Sequence, residues 1–259
     1  MKNKISYLIF STLIVFFLAS NLQVQAQEKQ PVKNVVLVHG AFLDGSGWES
    51  VYNELTQKGY NVSVTQHTLQ SLETDVEAVN RIINQQDGPV ILVGHSYGGV
   101  VISVSGNNPK VAGLVYIAAH TPEANEARTE LFKKFPPAYK SLIKGEDGYD
   151  YIDPEKFPED FAGGVPLGKA KFMALSQVPT ADICFKATIE NPAWKTKPVW
   201  HLLAKADRII NPDLQRFYAE RAKALNIVEV ENASHSVFIT HPKEVSDLVV
   251  EASNLNAKD

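Results

Sequence analysis

The amino-acid sequence predicts an α/β domain built on a doubly wound, mostly parallel sheet that one insertion interrupts. Short, almost wholly apolar runs alternate with longer stretches whose apolar residues recur at helical spacing. Such apolar runs are typical of strands that are buried on both faces, as in parallel sheets. The alternation breaks between about residues 121 and 197 and then resumes. One insertion therefore interrupts one domain.

Four strands and three helices are predicted before the insertion. The strands are the segments NVVLVHG, YNVSVTQ, PVILVG and VAGLVYIAA. The segments between them carry apolar residues at intervals of three or four, which indicates helices with one buried face. These residues are Trp48, Val51, Tyr52 and Leu55 in the first helix, Leu72, Val76, Val79 and Ile83 in the second, and Val100, Val101 and Val104 in the third. We expect Gly59 to end the first helix and Ser71 to cap the second.

Two further strands and two helices are predicted after the insertion. PVWHLLA and NIVEVE have the composition of buried strands. Asn211 and Pro212 are expected to open a helix that runs to about Ala224, because proline is favoured in the first helical turn. A last helix is predicted from Pro242 to about Leu255.

Residues 1–26 have the pattern of a secretory signal peptide. Lys2 and Lys4 precede an apolar run from Ile5 to Leu18, and Val24-Gln25-Ala26 offers a small-residue cleavage site. The apolar run is shorter than the ~20 residues that span a bilayer. We therefore expect cleavage, export to the periplasm or the cell exterior, and no stable membrane insertion of the domain at residues 27–259. A retained membrane anchor is the alternative.

The composition argues against several classes of partner and cofactor. The chain has 259 residues and a formal net charge of −4, and it contains no cluster of basic residues, so nucleic acid is not expected as a partner. Cys184 is the single cysteine, which excludes an intramolecular disulfide and the cysteine-based zinc motifs. We expect neither a metal nor an organic cofactor. The sequence leaves the oligomeric state open.

The segment GPVILVGHSYGGVV, residues 88–101, places one serine between glycines directly after a predicted buried strand. A sharp turn from strand to helix would strain the backbone of Ser96 and expose its hydroxyl at the carboxyl end of the strand. Gly94 and Gly98 are expected because larger side chains there would clash. We therefore predict Ser96 as a nucleophile and the backbone N–H of Tyr97 as an oxyanion donor. The alternative is a glycine-rich turn with a capping serine.

A serine hydroxyl needs a base that accepts its proton and a carboxylate that orients the base. In proteins with this motif the chain order is serine, acid, histidine. Asp207 follows the strand in VWHLLAKADRIINP, and His235 follows the next strand in VEVENASHSVF. Both are therefore expected at the same edge of the sheet as Ser96. We predict Asp207 as the acid and His235 as the base. Asp213, in the first turn of the next helix, is the alternative acid.

The other six histidines fit the role of base less well. Four have positions typical of structural residues, because they flank glycine turns, lie inside a strand or precede a helix. These four are His39, His95, His201 and His241. The remaining two, His67 and His120, follow earlier strands and are out of chain order for the base.

A second oxyanion donor is expected from the loop after the first strand, in the segment HGAFLDGSGW. We predict the backbone N–H of Ala41 for this role, with that of Phe42 as the alternative.

Four segments together resemble the α/β-hydrolase superfamily over about Val35 to Leu255: VLVHGAFLDGSGW, LVGHSYGG, LLAKADRIINP and NASHSVF. The chain is most similar to the small serine esterases that include plant methylesterases and hydroxynitrile lyases. The resemblance implies that the insertion is a helical cap over the active site. Ser96 stands where dehalogenases and epoxide hydrolases of the superfamily have aspartate. Gly40 and Ser236 stand where hydroxynitrile lyases have threonine and lysine, which disfavours lyase activity.

The functional prediction is a secreted serine carboxylesterase that cleaves small to medium uncharged esters or lactones through an acyl-enzyme on Ser96. Two alternatives stay open: a cofactor-free haloperoxidase or perhydrolase activity, and a non-catalytic protein that binds a ligand on the same scaffold. Large apolar residues of the insertion are expected to form the core of the cap, and some of them to line an apolar pocket. They are Phe132, Phe135, Tyr139, Phe157, Phe161, Phe172, Met173, Phe185 and Trp194.

Overall fold

A computed structural model describes residues 30–255 of the protein, and the predicted signal peptide at residues 1–26 lies outside them. Within the described residues the strands are β1 (Asn34–Val38), β2 (Asn61–Val64), β3 (Val90–His95), β4 (Val111–Ile117), β5 (Leu142–Lys144), β6 (Tyr149–Ile152), β7 (Thr180–Ala181), β8 (Val199–Ala204) and β9 (Asn226–Val230).

The α-helices of the same part of the chain are α1 (Glu49–Gln57), α2 (Leu72–Gln85), α3 (Gly98–Ser105), α4 (Arg128–Lys134), α5 (Phe157–Asp160), α6 (Leu167–Leu175), α7 (Asp182–Lys186), α8 (Pro212–Arg221), α9 (Val237–Thr240) and α10 (Pro242–Ser253). Short 3-10 turns precede α1 at Gly45–Trp48 and precede β8 at Ala193–Lys195.

The central sheet has six parallel strands in the order β2-β1-β3-β4-β8-β9. Every residue of β1, β3 and β8 is buried, which explains why these segments read as continuous apolar runs. Right-handed crossovers in this strand order place α1 on one face of the sheet and α2 and α3 on the other. The packing of α1 against α10, and of α2 against α3, agrees with this arrangement. The predicted doubly wound parallel fold is confirmed.

The residues predicted to cap or end helices lie at the helix ends in the structure. The Ser71 hydroxyl accepts a hydrogen bond from the Thr74 backbone N–H at 3.2 Å and so caps α2. Gly59 has φ +77° just after α1, a conformation that glycine adopts without strain. Asn211 caps α8 by accepting a hydrogen bond from the Asp213 N–H at 2.9 Å. Tyr52, predicted on the buried face of α1, is 41% exposed instead.

The insertion at 121–197 contains helices α4–α7, as predicted, and also a three-stranded antiparallel sheet in the order β5-β6-β7. A short turn joins β5 to β6, whereas β6 pairs with the distant β7, and the apolar spacing of a single segment indicates neither pairing. Backbone N–H groups of Ala138 and Tyr139 donate to the Arg208 carbonyl at 2.9 Å. The Ser236 hydroxyl donates to the Phe161 carbonyl at 3.0 Å. The insertion is therefore joined to the loops that follow β8 and β9.

None of the helices in residues 30–255 combines the length and the apolar character that a membrane span requires.

Candidate active site

Ser96 lies at the turn between β3 and α3 with a backbone φ of +55°. This left-handed conformation is strained for a residue with a side chain, as the sequence motif predicts. The backbone packs so closely at this turn that positions 94 and 98 have no room for a side chain. A Cβ on Gly94 would lie 2.7 Å from the Gly98 carbonyl oxygen, and one on Gly98 would lie 2.6 Å from the His39 carbonyl oxygen. The two glycines thus allow β1, β3 and α3 to meet at Ser96.

Gly98→Ala is expected to destabilise the fold by about 1–3 kcal/mol, because its new methyl group would press on the backbone of β1 and its loop. It is also expected to lower kcat/KM on an ester by roughly 100-fold, since small displacements of a nucleophile are costly. Urea unfolding and steady-state kinetics measure the two effects. Gly168→Ala is the matched control, because a Cβ at Gly168 on α6 meets nothing within 4 Å. Equal behaviour of the two variants would contradict the close packing at the turn.

The structure brings Ser96, His235 and Asp207 together, although the first two are 139 positions apart. The Ser96 Oγ and the His235 Nε2 are 2.8 Å apart, and the His235 Nδ1 and the Asp207 Oδ2 are 2.7 Å apart. The histidine and aspartate side chains are fully buried. Since a carboxylate only accepts hydrogen bonds, the His235 Nδ1 carries the proton and donates it to Asp207. Nε2 is then the acceptor that faces the serine hydroxyl.

Asp207 is held by donors on both oxygens. Its Oδ1 accepts the backbone N–H groups of Ile209 at 2.8 Å and Ile210 at 3.0 Å. Its Oδ2 accepts the Gln215 side-chain amide at 2.8 Å in addition to His235. These donors fix the orientation of the carboxylate. Asp213, the alternative acid, instead lies in the first turn of α8 and takes no part in this set of hydrogen bonds.

His95 holds the backbone of His235, the predicted base, through a hydrogen bond. Its Nε2 lies 2.9 Å from the His235 carbonyl oxygen, so this ring nitrogen carries a proton and donates it. Burial lowers the pKa of His95 well below its usual value, and the neighbouring His235 lowers it further. The ring is therefore neutral, and it places the backbone of His235 without adding charge beside the imidazole.

Two backbone N–H groups are available beside Ser96. Within residues 30–255 neither the Ala41 N–H nor the Tyr97 N–H is used in a hydrogen bond. The Phe42 N–H, the alternative donor, already donates to the Thr180 hydroxyl at 3.2 Å. A Cβ on Gly40 would lie 2.7 Å from the Ser96 Cβ, which shows how closely the loop after β1 approaches the serine. These contacts favour Ala41 over Phe42.

The Tyr97 side chain is anchored away from the serine. Its hydroxyl donates to the Asp75 Oδ2 at 3.0 Å, and the Asp75 Oδ1 accepts the Leu69 backbone N–H at 2.9 Å. Burial raises the pKa of Asp75 to about 6. This buried pair ties α2 to the residue directly after Ser96.

A cavity of about 240 Å³ lies between the sheet edge and the insertion, and Ser96, Ala41 and Tyr97 form part of its wall. Its volume is just below the range of ~300–1,000 Å³ typical of pockets for drug-sized ligands. Four of the aromatic residues predicted in the cap line it, namely Phe132, Tyr139, Phe161 and Phe185. Phe157 and Trp194 are buried in the hydrophobic core. Phe172 is 71% exposed, so it neither lines this cavity nor contributes to that core.

The histidines other than His95, His120 and His235 have mostly structural roles. His39 and His67 stack with ring centroids 3.6 Å apart, and burial lowers the pKa of His39 to about 4. His201 is buried in β8 and stacks on Tyr116. His241 lies at the start of α10, but its side chain makes no capping hydrogen bond there.

Three residues of the site have no clear signal in the sequence. Gln215, on α8, holds Asp207 in place. His120 and Arg128 line the cavity beside Ser96. The position of His120 along the chain argues against the role of base, and nothing in the sequence distinguishes Arg128 from a surface arginine. The contact between Gln215 and Asp207 spans only eight positions, but the cavity that His120 and Arg128 line is formed by segments that are distant along the chain.

No group of three or more His, Cys, Asp or Glu side chains in residues 30–255 is arranged to hold a metal ion.

Residues 35–248 match a family described as "Alpha/beta hydrolase family". A pyrethroid hydrolase of Sphingobium wenxiniae is 26% identical over 88% of this chain and 90% of its own length. A carbendazim-hydrolyzing esterase of Nocardioides sp. is 35% identical, but the match spans 43% of this chain and 52% of that protein. The putative methylesterase 19 of Arabidopsis thaliana is 21% identical over 86% of this chain and 98% of its own length.

Among solved structures, a polyneuridine aldehyde esterase superposes with a TM-score of 0.73 at 18% identity. The superposition covers 86% of this chain and 99% of that chain. A likeness at this identity shows the fold. The predicted resemblance, to this superfamily and to its esterase branch, is confirmed.

Proposed function

The chain belongs to the alpha/beta hydrolase family, and from that membership we propose that it is a carboxylesterase that uses Ser96 as its nucleophile. The observation that carries the proposal is the unbroken series of hydrogen bonds from Ser96 through His235 to Asp207 beside a cavity. This series is the arrangement that makes a serine hydroxyl nucleophilic.

In the first half of the proposed reaction, the Ser96 Oγ attacks the carbonyl carbon of the ester. The His235 Nε2 accepts the serine proton, and the Asp207 carboxylate stabilises the imidazolium that forms. The carbonyl oxygen becomes an oxyanion and accepts hydrogen bonds from the Ala41 and Tyr97 N–H groups. Collapse of this intermediate breaks the bond to the alcohol oxygen, which takes the proton from His235.

In the second half, water attacks the acyl group on Ser96. The neutral His235 accepts a proton from the water, and the same two N–H groups hold the second oxyanion. The bond to the Ser96 Oγ then breaks, and the serine regains its proton from His235. The net reaction converts an ester and water into an acid and an alcohol.

Labelling with a fluorophosphonate tests this proposal, because the reagent bonds only to an activated serine. We expect one adduct per chain, located on Ser96 by peptide mass spectrometry, together with loss of activity on p-nitrophenyl acetate. A purified, folded chain that takes up no label and hydrolyses no ester would overturn the proposal. Tight ligand binding by such a chain would favour the non-catalytic alternative.

Export after cleavage near Ala26 is a separate proposal, supported by the pattern of residues 1–26. The mass of the mature protein tests it directly.

A further inference from the structure

Arg128 is a buried cation on the wall of the cavity that also contains Ser96. It begins α4, is only 4% exposed, and lines the same cavity as Ser96, Ala41 and Tyr97. Arginine stays charged under all ordinary conditions. A charge so far from bulk water is costly unless an acceptor or a counter-charge compensates it.

The protein provides hydrogen-bond acceptors for only some of the N–H groups of this guanidinium. Its Nη2 donates to the Cys184 carbonyl oxygen, and its Nε is buried without an acceptor. A guanidinium has five N–H donors. In the described part of the chain, no Asp or Glu forms an ion pair with Arg128. The rings of Tyr97 and Phe185, with centroids 5.9 and 5.7 Å away, give weak compensation.

Both acidic residues of the cavity wall, Asp150 and Asp182, lie within the electrostatic influence of lysines. Asp182 pairs with Lys186, and the positive charges that act on the Asp150 carboxylate are those of Lys144 and Lys186. His120, also in the cavity wall, is neutral because burial, and then the charge of Arg128, lowers its pKa. Among residues 30–255, Arg128 therefore remains a positive charge without an ion-pair partner.

We propose that Arg128 forms an anion subsite, and that the preferred substrates are small esters carrying a free carboxylate, such as half-esters of dicarboxylic acids. The subsite rests on the proposed esterase function and narrows its substrate class. A planar guanidinium binds a planar carboxylate through charge-assisted hydrogen bonds. The small cavity volume fits short substrates. This class differs from the uncharged esters that the apolar cap sequence favours.

The test compares substrate pairs that differ only in the distal group. Monomethyl succinate, glutarate and adipate are paired with methyl butyrate, pentanoate and hexanoate, so that a terminal methyl replaces the carboxylate. A second pair, 3-acetoxypropanoate and propyl acetate, places the charge on the alcohol side. We expect the wild-type enzyme to prefer the charged member of at least one pair by tenfold or more in kcat/KM.

Arg128→Gln is expected to lower the charged-to-neutral ratio of kcat/KM by about 100-fold, because the substrate carboxylate loses its partner. Arg128→Lys is expected to restore part of the ratio, since it keeps the charge. Arg81→Gln is the matched control: Arg81 is exposed on α2 and lies outside the cavity. Circular dichroism and thermal melting report whether each variant folds. An equal loss on both members of a pair would assign Arg128 a structural role and overturn the subsite.

Binding separates the subsite from the esterase proposal. Titration calorimetry of the Ser96→Ala variant with succinate, glutarate and adipate requires no turnover. We expect the best of these dicarboxylates to bind about 100-fold more weakly when Arg128→Gln is added. If wild-type protein hydrolyses no ester but this difference appears, the esterase proposal fails and the subsite stands. If esters are hydrolysed without preference for charge and no dicarboxylate binds, the subsite fails and the esterase proposal stands.

Discussion

Ser96→Ala is expected to lower kcat on p-nitrophenyl acetate by about 10⁶-fold. The variant keeps His235 and the N–H groups of Ala41 and Tyr97, but it has no atom that can form the acyl-enzyme. Residual catalysis of ~10³–10⁴-fold over water is expected from oxyanion binding alone. Steady-state kinetics on freshly purified protein measures the loss, and the missing fluorophosphonate adduct assigns it to the serine.

Ser176→Ala is the control for this variant. Ser176 is exposed at the end of α6, and its hydroxyl donates to the Phe172 carbonyl at 2.9 Å, outside the cavity. Activity within about twofold of wild type is expected, as for most surface substitutions. If Ser96→Ala retained a tenth or more of wild-type turnover, the nucleophile would have to be another group.

Asp207→Asn is expected to lower kcat by about 10⁴-fold with little change in shape. Asp207 Oδ1 accepts two backbone N–H groups, so the asparagine must turn its oxygen toward these donors and its NH₂ toward His235. An NH₂ group donates, which forces Nδ1 of the imidazole to accept and moves the proton to Nε2. Nε2 then cannot take the proton of Ser96. The new NH₂ would also face the Gln215 amide, another donor.

Asp213→Asn is the matched control, because Asp213 is the alternative acid suggested by sequence position alone. Its side chain has no contact with His235, and a change of less than threefold is expected. Rates across the pH range, with circular dichroism on both variants, show whether the loss comes from catalysis or from unfolding. Similar losses in the two variants would remove the basis for assigning Asp207 as the acid.

The sequence predicted features that depend on local rules. A parallel strand that is buried on both faces is mostly apolar, so β1, β3 and β8 can be recognised in the sequence as nearly continuous apolar runs. The turn at Ser96 needs glycines at fixed offsets, so Gly94 and Gly98 identify it. Capping also acts over a few residues, which is why Ser71 and Gly59 were correctly placed.

Other features depend on contacts between separate elements, which local sequence rules do not describe. Tyr52 has helical spacing suited to a buried face, yet it is exposed, because spacing does not tell where a neighbouring element ends. The sheet of β5, β6 and β7 joins Leu142 to Ile152 and Tyr149 to Ala181, and such pairings depend on the partner strand rather than on the strand itself. The cap was therefore predicted with its helices and without its sheet.

By itself, the sequence determined the parallel α/β fold, the strained serine turn and the chain order of Ser96, Asp207 and His235. The fold and the turn follow from backbone stereochemistry and from the burial of apolar strands, which leave local patterns in the sequence. The three catalytic candidates follow from the chain order that accompanies this serine motif. Only the tertiary structure decided that Gln215 holds Asp207, that the Phe42 N–H is already occupied, and that Arg128 lines the cavity with no ion-pair partner in the described range 30–255. Hydrogen-bond partners and burial are properties of packed neighbours, and most of these neighbours are distant along the chain.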